Sequence, residues 1–351
     1  DTPLETIRAA SILPMRRPVG LTRLIELPGE CFAYTCPGSG SLRASPGPLA
    51  EQGEQMHLWA LELGLDYPKL SHFNPTLGAE LTVPEASSEG LIVLAKWYTF
   101  LFAHDDLAVD HDEASAETLS ADVAVYEGML LGNLPPRELA IGAMLVDCVD
   151  HARRLGPATE AFERSVSAYL RAGVEELCDR GGNQSIEEYH RLRNIAGAVE
   201  SSFELAFVCM DIELPESWRE HPAYRQIAAA AGRHICVAND LLSLPKELGF
   251  EGHQNFVVLY REALELPSYR ETYAEIAQHV LVPAALEMHA GFAELVAAAA
   301  SGELGLGPGS SVAEAVALAR RVGAMFITWV DGHLLWEEGS RRHRSPLEQA
   351  A

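Results

Sequence analysis

The chain has 351 residues, 48% of them hydrophobic, so it can bury a large core as one big domain or two ordinary ones. Its formal net charge of −24 argues against a nucleic-acid or anionic-membrane partner, because either requires a basic surface. An anionic ligand would therefore have to bind locally, through metal ions or a small group of Arg and Lys side chains.

Six scattered cysteines show no zinc-binding spacing, which favours a reduced, cytoplasmic protein. A disulfide between Cys31 and Cys36 in an oxidising compartment is the alternative. We find no apolar run of about 18 residues and no charged-then-apolar leader, so we expect neither a membrane span nor a signal peptide.

The first 50 residues are rich in Pro and Gly, which predicts an irregular N-terminal arm. From residue 51 onward, apolar residues recur at i, i+3, i+4 and i+7, and Val/Ile/Thr-rich alternating runs are absent. The pattern predicts an all-α fold with helices over 51–65, 86–111, 116–129, 135–154, 157–180, 185–210, 222–248, 254–263, 270–299 and 311–338. None of the breaks between these helices is typical of a domain linker.

An acidic cluster follows the aromatic, apolar stretch that ends near residue 104. Asp105, Asp106 and Asp110 stand close together there, and adjacent carboxylates at the end of an apolar helix repel one another unless a cation compensates. A hard cation such as Mg2+ is bound through a few carboxylates together with phosphate oxygens of a substrate. A solvated helix end is the alternative. On an ideal helix Asp106 and Asp110 share a face, whereas Asp105 and Asp110 lie about 140° apart.

A second polar stripe interrupts the apolar helix predicted over 222–248. Asn239, Ser243 and Glu247 recur every four residues and therefore share one face. An amide oxygen, a hydroxyl and a carboxylate form an oxygen-only site for Mg2+ that carries too little charge to hold the ion without an anionic ligand. Lys246 stands beside this stripe. Pro245 removes the donor to the Leu241 carbonyl, which predicts a bend.

Together these residues resemble the microbial, bacterial-type class I terpene synthases, also called terpene cyclases. That family carries D-D-x-x-x-D or D-D-x-x-D after an aromatic helix and N-D-x-x-S-x-x-x-E on a second helix roughly 140 residues later. This chain carries Asp105-Asp106-x-x-x-Asp110 and, 134 residues after Asp105, Asn239-Asp240-x-x-Ser243-x-x-x-Glu247.

Two further positions match the family pattern. Arg193 lies 46 positions before Asn239, where the family has a diphosphate-sensing arginine, and Tyr189 completes the Y-x-x-x-R pattern. Gly197, four residues after the arginine, matches the residue at a helix break whose carbonyl faces the substrate. Glycine supplies the conformational freedom that such a break needs.

The C-terminal family pattern W-x-x-x-S/T-x-R-Y is matched here by Trp336-x-x-x-Ser340-x-Arg342-His343. The resemblance implies that Arg342 donates hydrogen bonds to diphosphate. His343 replaces the family's tyrosine, and a histidine can also donate to phosphate.

The resemblance implies a single-domain class I terpenoid synthase helical bundle over 51–343 around a deep apolar cavity. The arm over 1–50 would be a lid, and 344–351 a short tail. It also implies three Mg2+ ions, for which Mn2+ is a substitute, held by Asp105, Asp106, Asp110, Asn239, Ser243 and Glu247. It implies an isoprenoid diphosphate as the substrate. The expected assembly is a monomer or homodimer.

The same resemblance gives the other site residues their roles. Arg193, Gly197 and Asp105 would act in ionisation of the substrate, and diphosphate would be bound by Arg193, Lys246, Arg342 and His343. An aromatic-lined, water-poor cavity would stabilise the resulting carbocation. Its candidate lining residues are Phe73, Trp97, Tyr98, Phe100, Leu101, Phe102, Phe203, Phe207, Trp329 and Trp336; ordinary core packing is the alternative for most of them.

The function implied is that of a Mg2+-dependent lyase that cyclises an allylic diphosphate, with farnesyl diphosphate favoured as the commonest substrate for chains of this size. A diterpene cyclase acting on geranylgeranyl diphosphate is the alternative, which the low aromatic content favours weakly. A chain-elongating prenyl diphosphate synthase would carry a second aspartate-rich motif in place of the Asn/Ser/Glu stripe. A non-catalytic helical isoprenoid-binding or scaffold protein is the alternative from a different class.

Overall fold

The computed structural model describes residues 20–40, 53–109, 114–133, 139–156, 159–179, 185–248 and 255–340. Across these ranges the chain is a bundle of α-helices with one two-stranded sheet, as the helical periodicity predicts. The helices are α1 Gly53–Glu62, α2 Leu70–Phe73, α3 Pro75–Thr82, α4 Ser88–His104, α5 Ala116–Leu130, α6 Ala140–Leu155, α7 Glu160–Asp179, α8 Ile186–Ala196, α9 Val199–Cys209, α10 Glu216–Glu220, α11 Pro222–Glu247, α12 Phe256–Ala263, α13 Tyr269–Ile276, α14 Val282–Ser301 and α15 Val312–Gly339.

Two helices continue into short π-helical segments, Asp105–Val109 after α4 and Ala277–Leu281 between α13 and α14. The predicted helix over 185–210 is two helices, α8 and α9, with a break between them. Helices α2, α3 and α10 were not predicted. Helices α2 and α10, with four and five residues, are too short to show a helical period, and α3 begins at Pro75 and contains Gly78.

The expectation of an irregular arm is wrong for residues 20–37. They form an antiparallel hairpin of β1, Gly20–Leu27, and β2, Glu30–Pro37, around a Pro-Gly turn in which Gly29 has a φ of 82°. Proline before a glycine with positive φ is the signature of a type II turn. The apolar residues of the two strands alternate along the chain and are all buried on one face: Leu21, Ile25, Leu27, Phe32, Tyr34 and Cys36.

The hairpin packs its apolar face against α11 and α13. Phe32 and Tyr34 each meet the ring of Tyr273 edge-on, at centroid distances of 5.1 and 4.8 Å. Cys31 is exposed on one face of β2, whereas Cys36 is buried on the other, and all six cysteines are free thiols. The alternative of a Cys31–Cys36 disulfide is therefore wrong, because residues five apart on a strand point to opposite faces.

The loop after the hairpin is anchored to two helices. Asp331, on α15, is buried and accepts hydrogen bonds from the backbone N–H groups of Ser39 and Gly40, at 2.9 and 3.2 Å, and from the Ser39 hydroxyl. His234, on α11, makes a 2.8 Å hydrogen bond to the carbonyl of Pro37. Residues 37–40 are thus fixed to the helical bundle by side chains that lie about 200 to 300 positions later.

One helical stretch in the described part of the chain, Tyr269–Ser301, is long and apolar enough to cross a membrane by length and composition alone. The expectation of no apolar run was therefore too strict. Such a stretch is weak evidence of a span, because a core helix passes the same test. Its α14 part packs closely on α11: a Cβ at Gly291 would lie 2.9 Å from Ile227 Cγ1. We interpret it as a helix that packs one face on the bundle, against α11 and α15.

Helix α11 carries the second polar stripe and runs unbroken through Pro245 to Glu247. Proline at this position removes the N–H that would bond the Leu241 carbonyl. The hydroxyl of Tyr273, on α13, donates to that carbonyl instead. A donor from a neighbouring helix therefore satisfies the carbonyl, and the helix continues to the last residue of the stripe.

Candidate active site

A cavity opens between α3, α4, α7, α8, α9, α11 and α15. Asp105, Arg193, Asn239, Lys246 and Glu247 contribute polar and charged groups to its lining. Aromatic and apolar residues form most of the remaining lining: Gly78, Tyr98, Leu101, Phe102, Tyr169, Ala196, Gly197, Ala198, Val199, Ile235, Trp329 and Trp336. Thr82, Glu176, Ser202, Cys236 and His333 complete it. The cavity thus combines a charged cluster with an apolar, aromatic wall.

The acidic cluster begins where α4 passes into the π-helical segment. Asp105 lines the cavity. Asp106 accepts a hydrogen bond from the Tyr67 hydroxyl at 3.0 Å and pairs with Lys246 Nζ at 3.4 Å. Lys246 lies on α11, 140 residues later, so this ion pair joins the first acidic cluster to the second polar stripe. The two motifs therefore meet at the same part of the cavity.

The stripe on α11 brings three oxygen donors to one face. Asn239 and Glu247 line the cavity, and Ser243 lies one turn from each of them. Asn255, the N-cap of α12, donates to a Glu247 carboxylate oxygen at 2.7 Å and to the Asp240 carbonyl at 2.8 Å. Asn255 therefore holds the end of α11 and fixes one side of the Glu247 carboxylate.

Ser243 provides the test of whether the stripe fits a metal ion. Its side chain is fully buried, and its Oγ has no hydrogen-bond partner within the described ranges. A buried polar oxygen without a partner costs about 1–3 kcal/mol, and a bound cation would remove that cost. No three His, Cys, Asp or Glu side chains of the described residues converge as a metal site. The mixed amide, hydroxyl and carboxylate donors of this stripe are nevertheless those that Mg2+ accepts.

Arg193 reaches from α8 to the same stripe. Its guanidinium donates to Asn239 Oδ1 at 3.1 Å and pairs with the Asp240 carboxylate at 3.0 Å. Burial alone would lower the pKa of Arg193, but the neighbouring acidic groups, Asp240 foremost, together outweigh burial and hold the pKa well above its ordinary value. Arg193 therefore remains a cation beside the cavity.

Asp240 is buried, does not line the cavity and holds neighbouring parts of the site by hydrogen bonds. Its carboxylate accepts hydrogen bonds from the hydroxyl of Tyr189, from the Phe256 backbone N–H at 2.8 Å and from Arg193. Burial raises the pKa of this carboxyl, while the surrounding donors favour the charged form. The position that follows the asparagine in N-D-x-x-S-x-x-x-E thus orients Arg193 and the start of α12.

The break between α8 and α9 lies where the resemblance placed it, but for a different backbone reason. Gly197 has a φ of −75°, which any residue adopts, and the left-handed residue is Ala198, with a φ of 55°. Gly197 is needed for space: a Cβ there would lie 2.8 Å from the Arg193 carbonyl oxygen and 3.2 Å from Cys236 Sγ. The expectation that Gly197 supplies backbone freedom is therefore wrong.

The structure separates the candidate pocket residues into two groups. Tyr98, Leu101, Phe102, Trp329 and Trp336 line the cavity. Phe102 and Trp336 stack at a centroid distance of 5.2 Å with their planes 6° apart. These residues form the aromatic wall.

The other candidates lie behind that wall and do not line the cavity, contrary to expectation. Trp97 and Phe100 occupy the adjacent face of α4, where the Trp97 ring packs 5.3 Å from Phe162 and its Nε1 donates to Ser202 at 2.9 Å. Phe203 packs 5.3 Å from Trp329. Phe73 and Phe207 also pack in the second layer. Helical spacing of about 100° per residue separates the two groups on α4.

Several cavity residues were not identified from the sequence. His333 could have been predicted to line the cavity, because it shares a helical face with Trp329 and Trp336 at i, i+4 and i+7. Thr82 lies on α3, which was not predicted. Glu176, Tyr169, Ser202 and Cys236 carry no local sequence signal that points inward.

Three candidate site residues lie outside the described residues: Asp110, Arg342 and His343. The N-terminal part of their motifs is described. Asp105–Val109 is π-helical, so ideal α-helical spacing does not hold within that segment.

Comparisons with known proteins identify the family and the fold. Residues 96–281 match the family model "Terpene synthase family 2, C-terminal metal binding", which is more than half of the chain. The chain is 31% identical over 215 residues to a (+)-T-muurolol synthase from Roseiflexus castenholzii, covering 57% of this chain and 65% of that one. It is 26% identical over 195 residues to a (−)-delta-cadinene synthase from Streptomyces clavuligerus, covering 54% and 59%.

The matched regions thus span less than two thirds of the length of these relatives. Among solved structures, germacradien-4-ol synthase from Streptomyces citricolor superposes with a TM-score of 0.68 at 21% identity, covering 84% of this chain and 97% of that one. A likeness at this level of identity concerns the fold. The helical fold, the converging Asp and Asn/Ser/Glu motifs and the family model lead to one conclusion: the chain belongs to the terpene synthase family, with the helical fold of class I enzymes.

Proposed function

We propose that this chain is a Mg2+-dependent terpene cyclase. It ionises an allylic isoprenoid diphosphate, cyclises the carbocation to a hydrocarbon or alcohol, and releases diphosphate. The observation that carries the proposal is the Lys246–Asp106 ion pair, which joins the two motifs beside an aromatic cavity. A non-catalytic binding protein would not need both motifs to converge.

The two motifs supply the oxygen donors for divalent cations. Asp105 and Asp106 form one set, and Asn239, Ser243 and Glu247 form the other, with Asp110 assigned to the first set from its spacing. When bound, Mg2+ neutralises the leaving diphosphate and so lowers the barrier to heterolysis of the allylic C–O bond. Three ions, and Mn2+ as a substitute, follow from the family resemblance.

The cations of the chain bind the same leaving group. Arg193 and Lys246 line the cavity beside the donors, and each is paired with a residue of the motifs. Diphosphate would draw both side chains toward itself, because its charge exceeds that of a single carboxylate. We assign Arg342 and His343 to the same role from the C-terminal pattern. The Gly197 carbonyl, at the helix break, contributes a dipole to ionisation.

The aromatic wall protects and stabilises the carbocation. Phe102, Trp329 and Trp336 present π-systems whose faces attract positive charge, and the apolar lining excludes water that would quench the cation. These side chains also hold the flexible isoprenoid chain in a folded shape before ionisation. The shape of the wall therefore determines which carbon atoms of the substrate come close enough to form the new bond.

We favour farnesyl diphosphate as the substrate. The similar (+)-T-muurolol synthase is named as cyclising (2E,6E)-farnesyl diphosphate. The family-model match over residues 96–281 includes Asp105, Asp106 and the Asn239/Ser243/Glu247 stripe of this chain. The free thiols fit a reduced, cytoplasmic location. The assembly we propose is a monomer or homodimer.

The experiment is direct. The purified protein is incubated with geranyl, farnesyl or geranylgeranyl diphosphate and Mg2+, and released diphosphate and volatile products are measured. We expect cyclic products from farnesyl diphosphate and none after chelation of the metal. Absence of diphosphate release with all three substrates would refute the proposal, and preferred turnover of geranylgeranyl diphosphate would replace the substrate with the longer one.

A further inference from the structure

Two hydroxyl groups are hydrogen-bonded to each other in the wall of the cavity. Thr82, on α3, and Tyr98, on α4, both line the cavity, and their hydroxyl oxygens are 2.8 Å apart. The neighbouring wall consists of the rings of Phe102, Trp329 and Trp336. The pair therefore places polar oxygens among aromatic surfaces.

The direction of the hydrogen bond follows from a third group. Thr82 Oγ1 lies 2.8 Å from the backbone carbonyl oxygen of Gly78, which can only accept. Thr82 has a single hydroxyl proton and donates it to that carbonyl. Tyr98 therefore donates to Thr82. The phenol oxygen of Tyr98 then has only lone pairs to offer to any other group nearby.

The Tyr98 side chain is held in place on several sides. Its ring stacks on Phe102 at 6.4 Å and meets Trp329 edge-on at 5.9 Å. A Cβ at Gly78 would lie 3.3 Å from both the Tyr98 ring and Trp336, so glycine lets the ring approach α3 closely. Burial raises the pKa of Tyr98, so the hydroxyl keeps its proton. The acceptor is thus neutral, fixed and preorganised.

We propose that the Tyr98 hydroxyl oxygen, oriented by Thr82, is a product-determining group of the cavity. This inference rests on the cyclase function proposed above. Aromatic faces attract positive charge over a broad area, whereas an oriented oxygen attracts it at one point. In a cavity of low dielectric constant, a fixed dipole of this kind acts strongly on a nearby cation. Cations that carry their charge near Tyr98 are favoured over their isomers.

The test separates the oxygen from the shape of the wall. Tyr98→Phe removes the hydroxyl and keeps the ring. Thr82→Val keeps the shape of the threonine and removes the acceptor that orients Tyr98, whereas Thr82→Ser keeps the hydroxyl. Thr99→Val is the matched control, because Thr99 neighbours Tyr98 but is buried, bonds the Ala95 carbonyl at 2.6 Å and lies off the cavity.

The readout is the product profile from farnesyl diphosphate, normalised to diphosphate released. Tyr98→Phe and Thr82→Val are expected to shift the ratio of the two main products by roughly threefold to tenfold, in the same direction. Thr82→Ser and Thr99→Val are expected to keep the wild-type ratio. If either Tyr98→Phe or Thr82→Val fails to fold, the other decides.

Three results would overturn the inference in distinguishable ways. An unchanged product ratio in Tyr98→Phe or Thr82→Val, with turnover present, refutes the inference and leaves the cyclase function standing. A shift in Thr82→Ser as large as that in Thr82→Val refutes the inference, because it shows that a retained hydroxyl at position 82 does not preserve the product ratio. A wild-type protein that releases no diphosphate removes both the function and the inference.

Discussion

The Tyr273 hydroxyl donates a hydrogen bond to the carbonyl of Leu241, the group that Pro245 leaves without its helical donor. Leu241 and Tyr273 are both fully buried, so water cannot take over this role. The last turn of α11, which carries Lys246 and Glu247, is therefore supported from α13. The hydrogen-bond donor that the proline removes is replaced by a side chain 28 positions later in the sequence.

Removal of this hydroxyl should destabilise the protein. Tyr273→Phe leaves the Leu241 carbonyl buried without a donor, which should lower the free energy of unfolding by about 1–3 kcal/mol. Pro245→Ala restores a backbone N–H at the position that bonds Leu241, so the same tyrosine substitution should cost less in that background. Urea unfolding of the four proteins in a double-mutant cycle measures the coupling. Equal costs in both backgrounds would contradict the compensation.

Ser243→Ala should separate stability from metal use. The Ser243 hydroxyl has no hydrogen-bond partner among the described residues, so its loss should leave the free energy of unfolding unchanged or slightly higher. The Mg2+ concentration for half-maximal turnover should rise about tenfold, because one oxygen donor is lost. Ser202→Ala is the contrast, since Ser202 accepts the Trp97 Nε1 hydrogen bond and its loss should cost about 1–2 kcal/mol. An unchanged metal requirement in Ser243→Ala would remove Ser243 from the site.

Lys246→Met should affect metal and substrate in opposite directions. Lys246 pairs with Asp106 at 3.4 Å and therefore competes with a metal ion for that carboxylate. Its removal should lower the Mg2+ concentration for half-maximal turnover by about threefold. The same change should raise the KM for the diphosphate by about tenfold. Arg191→Met removes one charge from the exposed surface and should do neither; a rise in both quantities for Lys246→Met would contradict the competition.

Substitutions at Gly197 and Ala198 should change the free energy of unfolding in different directions. Gly197→Ala places a Cβ 2.8 Å from the Arg193 carbonyl oxygen, which should lower the free energy of unfolding by about 1–3 kcal/mol and reduce kcat by about tenfold. Ala198→Gly removes a left-handed alanine and should leave stability equal or about 1 kcal/mol higher. Thermal unfolding and steady-state kinetics give both values. A harmless Gly197→Ala would show that the break tolerates a side chain.

His234 should make stability fall in acid. Burial lowers the pKa of His234 to about 4, whereas an unfolded histidine has a pKa near 6.5. Below pH 6.5 the unfolded chain takes up a proton that the folded chain refuses, so the free energy of unfolding falls by up to about 3 kcal/mol as the pH drops toward 4. Above pH 6.5 this contribution is fully present.

His234→Gln should reduce the pH dependence between pH 6.5 and 4, measured by urea unfolding across that range. The part due to His104 and His190 should remain, because burial also lowers their pKa values to about 4. Asp331 and His333 influence His234 in the wild type and are kept in the variant. His279→Gln, at a half-exposed position, is the control. A slope as steep as that of the wild type would place the acid sensitivity elsewhere.

The helical fold could be predicted from the sequence because most helices are long and amphipathic enough to show their period. The second motif could also be predicted, because Asn239, Ser243 and Glu247 lie on one continuous helix whose spacing fixes their common face. The hairpin was not predicted, because its Pro28-Gly29 turn lies within an N-terminal stretch that is rich in Pro and Gly throughout. Short helices such as α3 are defined by the partners they pack against.

Side chains brought together from distant elements could not be placed from the sequence. Whether Trp97 or Tyr98 faces the cavity depends on which helices pack on each side of α4. The role of Gly197 likewise depends on Cys236, which approaches from α11. No local sequence pattern indicates which residue from a distant helix will pack against a given position. The sequence could identify the glycine, but the reason for it lies in the space around it.

The anchored loop over 37–40 has a practical consequence for anyone who shortens this chain. Asp331 stands two residues from the cavity residues Trp329 and His333 on the same helix, so the N-terminal hairpin and the aromatic wall share one support. A fragment begun at residue 51, or at the start of the matched family region, would expose the apolar faces of α11 and α13 and leave the buried Asp331 without its donors. The hairpin shares a buried apolar cluster with α11, α13 and α15, and expression boundaries should keep the hairpin and the bundle together.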